Sequence, residues 1–452
     1  MHAASPPLTL TVDSEARLTG ASASLLAALK EQLTLDNPEY RDAQKYGRWI
    51  GKRLKPQLHF YWLDGDAIRF PRGFARQAIQ LCRRFMHHTP AIVDQRPELP
   101  PIALSFTKEL RPYQQAALAD ILRHEFGVLE AGTGSGKTVV ALAAIAARRQ
   151  PTLVLVHTKE LLHQWAERVE NFLGVEPGLI GDGHYEIRPI TIAIVNSARN
   201  HLTELPALFG HLCVDECHRV PASLFTEVVT AFACRYMLGL SATAFRRDGL
   251  TKLIYMHLGD RVHQVDTGHL HATGAVLKPE FLQRPTEFRY VYRGNYQALM
   301  KALTGNKARN ELIVEDIAKE AATSEGTILI VSDRVHHCEE LARLLEKRGL
   351  VAPVLTGQTR PDERAELVEA IQQGRVKILI STVQLIGEGF DCPNLTTLFL
   401  TTPIKFTGRL LQVVGRVLRP AEGKTPRVYD YVDPVKVLAS SAQSRWLTFR
   451  FD

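Results

Sequence analysis

Short runs of apolar, often β-branched residues alternate with amphipathic stretches of helical length over most of the chain. These runs fall into two groups, at 152–157, 190–195, 211–215 and 236–240, and then at 327–332, 376–381 and 395–400. Strands that alternate with helices form β-α units on a parallel sheet. The pattern therefore predicts an α/β protein with two tandem parallel-sheet domains.

The beginning of the chain has a different pattern. Residues 8–12 alternate between apolar and polar, which predicts a strand, and residues 23–33 have the spacing of an amphipathic helix. Four prolines then favour extended backbone, at positions 90, 97, 100 and 101. We predict a small α+β domain at 1–88, a Pro-rich linker at 89–103, and parallel-sheet domains at 104–285 and 286–452.

Positive charge is concentrated in the first of these domains. The chain has a formal net charge of +7, whereas residues 41–84 alone hold 11 Lys/Arg against 3 Asp/Glu, an excess of 11 − 3 = +8. Basic and aromatic residues are interleaved there, namely Arg48, Lys52, Arg53, Lys55, Arg69, Arg72 and Arg76 with Tyr46, Trp49, Phe60, Tyr61, Trp62 and Phe70. Such a segment suits phosphate contact and base stacking, and the competing interpretation is an ordinary aromatic core with a solvated basic face.

Several classes of protein are disfavoured by composition. The longest apolar run, Val139 to Ala147, is far shorter than the roughly 18 residues of a membrane-spanning helix, and the first six residues lack a secretory signal pattern. The six cysteines include no C-x-x-C pair, so neither a disulfide framework nor a zinc or iron–sulfur site is indicated. We expect a globular cytoplasmic protein.

A glycine-rich turn lies between a predicted strand and a predicted helix. The strand is Phe126 to Leu129, the helix is Val139 to Arg148, and the turn holds Gly132, Thr133, Gly134, Ser135, Gly136, Lys137 and Thr138. Backbone N–H groups of such a turn close around phosphate oxygens, the lysine reaches the β- and γ-phosphates, and the threonine hydroxyl ligates Mg²⁺. Ala131 replaces the first glycine of the usual pattern. The turn predicts an ATP site.

Two adjacent acids follow the apolar strand that ends at Val214. Asp215 suits a magnesium ion held through water, and Glu216 suits a general base that polarises the attacking water. The alternatives are a surface turn, or a metal site formed by Cys213, Cys217 and His218.

Five motifs in order resemble those of superfamily 2 helicases, and the region that they span is Leu110 to Asp433. They are A-G-T-G-S-G-K-T at 131, D-E-C-H at 215, S-A-T at 241, G-E-G-F-D at 387 and Q-V-V-G-R-V-L-R at 412. The Leu110 to Gln114 segment and the Arg246 to Gly249 run resemble the XPB/UvsW-like group. This resemblance implies RecA-like folds for both parallel-sheet domains.

The resemblance also implies roles around the nucleotide. Gln114, with Arg111 nearby, is similar to an adenine-reading glutamine, and Ser241 and Thr243 resemble a hydroxyl relay that couples hydrolysis to nucleic-acid grip. Gly389 and Asp391 resemble a loop that contacts ribose and metal. Gln412, Arg416 and Arg419 are spaced by 4 and 3, which puts them on one helical face that can present arginine fingers to the γ-phosphate.

Further residues are implied along a nucleic-acid track. They carry hydroxyl, amide or basic groups suited to sequence-independent phosphate contacts, and they are Thr158, Lys159, Asn196, Ser197, Arg247, Ser381 and Thr382.

Together these features predict an ATP- and Mg²⁺-dependent DNA helicase or translocase that unwinds or remodels duplex or branched DNA in recombination or repair. Three alternatives stay open: the motor subunit of a restriction or defence system, an RNA helicase, and a nucleic-acid-binding scaffold with an inactive ATP site.

Overall fold

A computed structural model describes most of the chain. The described residues are 7–45, 47, 49–51, 54–132, 134–220, 222–242, 250–265, 268, 277, 279–386, 394–404, 414 and 425–449. The chain divides into two compact units, one of residues 1–131 and 136–265 and the other of residues 132–135 and 266–452. The small N-terminal domain and the first parallel-sheet domain therefore belong to one unit.

The N-terminal domain is an α+β fold, as predicted. Its elements are β1 (Thr9–Val12), β2 (Glu15–Thr19), α1 (Ala23–Gln32), β3 (Thr34–Asp36), α2 (Pro38–Lys45), β4 (Gln57–His59), β5 (Trp62–Asp64), β6 (Ala67–Pro71), a 3₁₀ turn (Arg72–Phe74), α3 (Ala75–Met86) and β7 (Ala91–Asp94). A five-stranded sheet has the order β5-β6-β2-β1-β7, and β3 pairs with β4. Alternate residues of β1 and β2 point inward and form a core with α1 and α3.

Part of the predicted linker belongs to this sheet. Residues 91–94 pair in parallel with β1, with Thr9 opposite Ala91 and Val12 opposite Asp94. These four residues include no proline, so their N–H groups are available for pairing, whereas the prolines on either side exclude a longer strand. The linker predicted at 89–103 therefore includes a strand of the first domain.

The 3₁₀ turn anchors the N-terminal domain on its neighbour. Arg72 is only 2% exposed, and its guanidinium donates to the carbonyls of Asp13 at 2.9 Å and Cys234 at 2.8 Å. A Cβ added at Gly73 would lie 2.5 Å from the backbone nitrogen of Gly259, so only glycine permits this approach. The inclusion of Arg72 among basic residues available to nucleic acid is wrong, because its charge is buried between two domains.

The aromatic residues of the basic segment divide into two groups. Phe70 is fully buried in the core of the domain, whereas Trp49 is 90% exposed and Trp62 is 48% exposed. Arg69 forms an ion pair with Glu15 at the surface. The aromatic-core interpretation thus holds for Phe70, and nucleic-acid contact by the exposed residues stays a prediction.

The first parallel-sheet domain has eight strands among the described residues. Its elements are α4 (Pro112–Leu122), β8 (Phe126–Glu130), α5 (Lys137–Arg148), β9 (Thr152–Val156), α6 (Lys159–Leu173), β10 (Gly178–Gly181), β11 (His184–Tyr185), β12 (Ile190–Ile194), α7 (Val195–Arg199), α8 (Leu205–Leu208), β13 (His211–Val214), α9 (Ala222–Ala231), β14 (Tyr236–Ser241), α10 (Thr251–Leu258) and β15 (Arg261–Gln264). The order is β11-β10-β12-β9-β13-β14-β8-β15, parallel except for β11.

Burial explains why these strands consist of continuous apolar runs. All five residues of β9 and all four of β13 are buried, because helices cover both faces of a parallel sheet. The carboxyl ends of β8, β14 and β13 lie side by side at one edge, and β9 and β12 continue that edge beyond β13. The sheet order therefore gathers segments that are distant in sequence.

Among its described residues, the second unit contains a six-stranded parallel sheet of order β16-β21-β20-β17-β19-β18. Its elements are β16 (Glu280–Pro285), α11 (Tyr296–Thr304), α12 (Lys307–Thr323), β17 (Thr327–Ser332), α13 (Val335–Glu346), β18 (Val354–Leu355), α14 (Pro361–Gln372), β19 (Ile378–Thr382), α15 (Val383–Ile386), β20 (Leu395–Leu400), β21 (Arg427–Val432) and α16 (Lys436–Phe449). Residues 280–285, which the sequence placed in the preceding domain, pair with β21, so the boundary falls before Glu280.

Candidate nucleotide site

The glycine-rich turn follows β8 and leads directly into α5. Gly134 and Gly136 have φ of 86° and 79°, in the left-handed region that favours glycine, and Gly136 is the N-cap of α5. A Cβ at Gly136 would lie 2.4 Å from the side-chain nitrogen of Gln114. The turn therefore presents the amino end of a helix at the edge of the sheet, which is the geometry that binds anions.

Lys137 lies between this turn and the acidic pair. Its ammonium group donates to the carbonyl of Ala131 at 3.0 Å and lies 3.8 Å from a carboxylate oxygen of Glu216. The side chain is only 11% exposed. Lys137 and Glu216, 79 positions apart in the sequence, are thus brought together by the order of the strands.

Asp215 comes directly after β13 and is 6% exposed. The indole N–H of Trp165 donates to its Oδ2 at 2.8 Å, and the backbone N–H of Glu216 donates to its Oδ1 at 2.9 Å. Burial, together with the negative charge of Glu216, raises the pKa of Asp215. A nearby cation would stabilise the ionised carboxylate, which is the environment expected of a magnesium-binding acid.

Glu216 has an unusual backbone, with φ of 45° in a residue that is not glycine. Its Oε2 accepts no hydrogen bond from the described residues, and the Nδ1 of His218 lies 3.3 Å away. Burial raises the pKa of Glu216, but the charge of Lys137 and of the other basic neighbours outweighs this effect, so the pKa lies below its usual value. An ionised carboxylate with free accepting capacity suits a general base.

The metal site considered for Cys213, Cys217 and His218 is not supported. No group of three or more His, Cys, Asp or Glu residues arranged to hold a metal occurs in the described part of the chain. Cys213 is fully buried in β13, where burial raises the pKa of its thiol.

Ser241, at the end of β14, contacts the acidic motif directly. Its hydroxyl lies 2.9 Å from the Nδ1 of His218, and this ring lies beside Glu216. The predicted coupling role of Ser241 thus has a physical connection to Glu216.

Gln114 lies in the first turn of α4 and is 6% exposed. Its side-chain oxygen accepts from the backbone N–H of Arg111 at 3.0 Å, and its nitrogen lies against Gly136. The structure therefore places the predicted adenine-reading residue next to the phosphate turn, with Arg111 at the cap of the same helix. Its role toward adenine stays a prediction.

Comparison with known proteins agrees with this geometry. Residues 107–246 match the family described as "Type III restriction enzyme, res subunit", and residues 308–421 match "Helicase conserved C-terminal domain". "Probable helicase D10" of Escherichia phage T5 is 30% identical over 315 residues, which cover 68% of this chain and 67% of that protein. The chain belongs to the superfamily 2 helicases.

Further relatives refine this assignment. "DNA 3'-5' translocase XPB2" of Sulfurisphaera tokodaii is 28% identical over 346 residues, which cover 69% of this chain and 79% of that protein. The structure of S. cerevisiae Dbp5 bound to RNA and ADP BeF3 aligns with a TM-score of 0.56 at 15% identity, over 75% of this chain and 88% of that chain, and supports the RecA-like fold. The predicted resemblance to the XPB-like group is confirmed, and the helicase is an ATP-using enzyme that binds nucleic acid.

Two of the predicted nucleic-acid residues of the helicase follow β9. The hydroxyl of Thr158 caps α6 by accepting from the backbone N–H of Leu161 at 3.3 Å. Lys159 is half exposed and lies 3.9 Å from Asp182, which also contacts His163 at 2.9 Å. Lys159 is therefore available at the surface, with an acid as its present partner.

Asn196 and Ser197 follow β12, the next strand along the same edge. Asn196 is exposed, and Ser197 lines an open cavity of about 360 Å³ together with Asp182, His184, Tyr185 and Asn200. The described residues of the first domain that are predicted to contact nucleic acid thus follow β9 and β12 on one half of the sheet edge, and the phosphate turn and the acid pair of the nucleotide site follow β8 and β13.

Ser381 differs from its predicted role. It is fully buried at the end of β19, and its hydroxyl donates to the carbonyl of Leu355 at 2.8 Å. A buried hydroxyl that donates to the neighbouring strand does not reach a phosphate. The adjacent Thr382 is half-buried, and its contact with phosphate stays a prediction.

Several predicted site residues of the helicase lie outside the described residues. They are Thr133, Thr243, Arg247, Gly389, Asp391, Gln412, Arg416 and Arg419. Their roles stay predictions.

Sequence reasoning missed two contacts of α6. Arg168 donates to the hydroxyl of Thr138 at 2.9 Å, and Trp165 donates to Asp215. A tryptophan on the apolar face of an amphipathic helix predicts only a core position, so no local signal identified it.

Among the described residues, no helix of this protein has both the length and the apolar character needed to cross a membrane.

Proposed function

We propose that this helicase is an ATP- and Mg²⁺-dependent DNA translocase that unwinds or remodels duplex or branched DNA in recombination or repair. The observation that carries the proposal is the convergence of Lys137, Asp215 and Glu216 at the carboxyl edge of one parallel sheet. Relatives named as DNA helicases or translocases of the XPB type support DNA as the substrate.

The residues present fit a nucleotide with magnesium. The left-handed glycines leave the helix amino end open to phosphate oxygens. Without a cation, buried Asp215 beside the 16% exposed Glu216 would lower the stability of the fold. Thr138 and Asp215 would hold the metal, directly and through water. When bound, the metal supplies positive charge that offsets the negative charge developing on the phosphates.

Glu216 would act on the attacking water. Its carboxylate is ionised and has an oxygen without a hydrogen-bond partner among the described residues, so it can accept a proton from a water molecule placed beside it. Lys137 would position the phosphates, and Arg416 and Arg419 would approach from the second parallel-sheet domain as arginine fingers.

The N-terminal domain is proposed to contribute to DNA targeting. Support comes from the charge excess within residues 41–84 and from Trp49 and Trp62, which are exposed and suited to stacking. Arg72 and Gly73 fasten this domain to the first parallel-sheet domain, so deletion of residues 1–95 would remove part of a packed unit. Point variants of exposed residues are therefore the better test of this role.

The decisive experiment measures ATP hydrolysis with Mg²⁺ and forked DNA, double-stranded DNA, single-stranded DNA or RNA at equal nucleotide concentration. We expect the strongest stimulation by forked or double-stranded DNA, and Lys137→Ala should reduce turnover by at least about a hundredfold. The same series with Trp62→Ala should show a weaker preference for forked DNA at unchanged basal hydrolysis.

Other outcomes would point elsewhere. Stimulation by RNA alone would replace DNA as the substrate. Absence of turnover with every nucleic acid, in protein shown to be folded, would leave a binding scaffold. Turnover that survives Lys137→Ala would contradict the assignment of the phosphate turn.

A further inference from the structure

Helix α6 begins at the nucleic-acid track and continues to the nucleotide site. Its N-cap is Thr158 and its first residue is Lys159, both predicted to contact a phosphate backbone. Arg168 lies ten positions after Thr158, which is about 15 Å along a helix. One rigid element therefore connects the two halves of the sheet edge.

Trp165 makes the first contact of α6 with the nucleotide site. The side chain is completely buried, and its indole N–H donates to Asp215 Oδ2 at 2.8 Å. Since the indole has one donor and no acceptor, this hydrogen bond holds the carboxylate in one orientation. The other oxygen of Asp215 accepts from the N–H of Glu216, so rotation of the carboxylate would break two hydrogen bonds.

Arg168 makes the second contact, three positions later on the same face of the helix. Its guanidinium donates to the hydroxyl oxygen of Thr138 at 2.9 Å. A hydroxyl oxygen has two lone pairs, so one of them remains for a cation while the other accepts from Arg168. Both protein groups expected to hold magnesium are thus oriented by α6.

We propose that Trp165 is a positioning residue for Asp215, and that α6 couples the grip on nucleic acid to the affinity for the metal–nucleotide complex. The proposal rests on the proposed function and adds residues outside the five motifs. A displacement of Lys159 on phosphate binding would move Trp165 and Arg168 together, because α6 is packed as a unit against β9, β10 and β12.

If the role of Trp165 were purely structural, we would expect a different result. Buried tryptophans usually require a partner for their N–H group, so loss of the bond would lower stability and nothing else. Val169 offers a matched control, since it is a fully buried residue on the same helix that contributes packing alone. Val169→Ala therefore measures what loosening α6 does without removal of a hydrogen bond to the site.

The test compares Trp165→Phe with Val169→Ala and the unaltered chain. Binding of a fluorescent, non-hydrolysable ATP analogue is measured with Mg²⁺ and with EDTA, and binding of labelled forked DNA is measured with and without that analogue. We expect Trp165→Phe to reduce the gain in nucleotide affinity from Mg²⁺ by about tenfold, as loss of an outer-shell partner of a metal ligand does. It should also reduce the effect of the analogue on DNA affinity, because coupling between two binding sites is reciprocal. DNA affinity without nucleotide should not change.

Each result decides a separate question. If Trp165→Phe and Val169→Ala show the same Mg²⁺ dependence and the same coupling as the unaltered chain, the positioning role is overturned while DNA-stimulated hydrolysis by the unaltered chain still supports the proposed function. If Trp165→Phe does not fold, Arg168→Met takes its place, and unchanged coupling in that variant overturns the proposal. If the unaltered chain hydrolyses no ATP with any nucleic acid, the proposed function itself fails.

Discussion

Two ionic clusters, one in each parallel-sheet domain, differ in burial and in how completely their polar atoms are paired. In the second domain, Arg309 and Asp433 are each 1% exposed and joined by hydrogen bonds of 2.8 and 3.3 Å. The hydroxyl of Thr286 donates to Asp433 at 2.6 Å, and Arg309 donates to the carbonyl of Thr401 at 2.9 Å. No buried side-chain nitrogen or oxygen of Arg309, Asp433 or Thr286 lacks a hydrogen-bond partner.

The cluster in the first domain is left incomplete. Glu216 combines a left-handed backbone with a carboxylate oxygen that lacks a hydrogen-bond partner among the described residues. Both ring nitrogens of nearby His157 also lack such a partner. Buried polar groups without partners cost about 1–3 kcal/mol each, and a ligand that supplies the missing partners would remove that cost. The first cluster, with Lys137 and Glu216 11% and 16% exposed, thus has the accepting capacity that the proposed general base requires, whereas Arg309 and Asp433 are 1% exposed and paired with each other.

The largest expected effect tests the incomplete cluster. Glu216→Gln keeps the size of the side chain but removes its capacity to accept a proton, so we expect kcat for DNA-stimulated ATP hydrolysis to fall by roughly 10²–10⁴-fold. KM for ATP should change little, because the phosphate turn is untouched. Steady-state kinetics measures both values, and a kcat within threefold of the unaltered enzyme would rule out Glu216 as general base.

The next effect tests the complete cluster. Arg309→Met leaves the carboxylate of Asp433 buried without its charged partner, which should lower the free energy of unfolding by about 3–5 kcal/mol. Chemical denaturation of the purified protein measures this loss. The double variant Arg309→Met with Asp433→Leu should recover most of it, and a double variant as unstable as the single one would contradict the explanation.

A third prediction concerns pH and another fully paired group of the second domain. His337 is buried, with Nδ1 3.0 Å from Ser332 and Nε2 3.1 Å from Asn310, and burial together with the charge of Arg309 lowers its pKa to about 3 from the usual 6.5. Below pH 6.5 the unfolded chain therefore binds a proton at His337 that the folded protein does not bind. The free energy of unfolding decreases as the pH falls through that value. The loss from this residue should reach about 2 kcal/mol at pH 5.

Denaturation of His337→Gln and of the unaltered chain at pH 7.5 and pH 5 isolates this contribution from those of the other histidines. The neighbouring His336 is 87% exposed, so His336→Gln is the matched control and should retain the full pH dependence. If all three proteins lost the same free energy of unfolding between pH 7.5 and pH 5, His337 would not be the cause of the pH dependence.

The smallest expected effect tests the left-handed backbone conformation of Glu216. Asparagine tolerates the left-handed region better than glutamine does, so Glu216→Asn should be more stable than Glu216→Gln by about 1 kcal/mol while both lack activity. Thermal unfolding of the two variants side by side measures the difference. Equal stability would show that the left-handed conformation carries no cost.

Much of the site was predictable because its signals are local. The glycines and Lys137 lie within one turn between a strand and a helix, and the acid pair follows an uninterrupted apolar strand. Such features depend on backbone conformation over a few residues, which the sequence of that segment specifies directly. The sequence did not predict the strand at 91–94 or the domain boundary before Glu280. Both concern strands at the edge of a sheet, which are recognised by the strand that they pair with and not by their own residues.

The sequence by itself determined the alternation of strands and helices in the two parallel-sheet domains, the phosphate turn, the acid pair and membership of the helicase family. Only the tertiary structure decided that Trp165 donates to Asp215 and Arg168 to Thr138, that Arg72 joins two domains, and that the Ser381 hydroxyl donates to a neighbouring strand. The physical reason is the distance along the chain. A residue whose partner lies 26 to 162 positions away carries no mark of that partner in its own segment, because the contact exists only after the sheets and helices have packed.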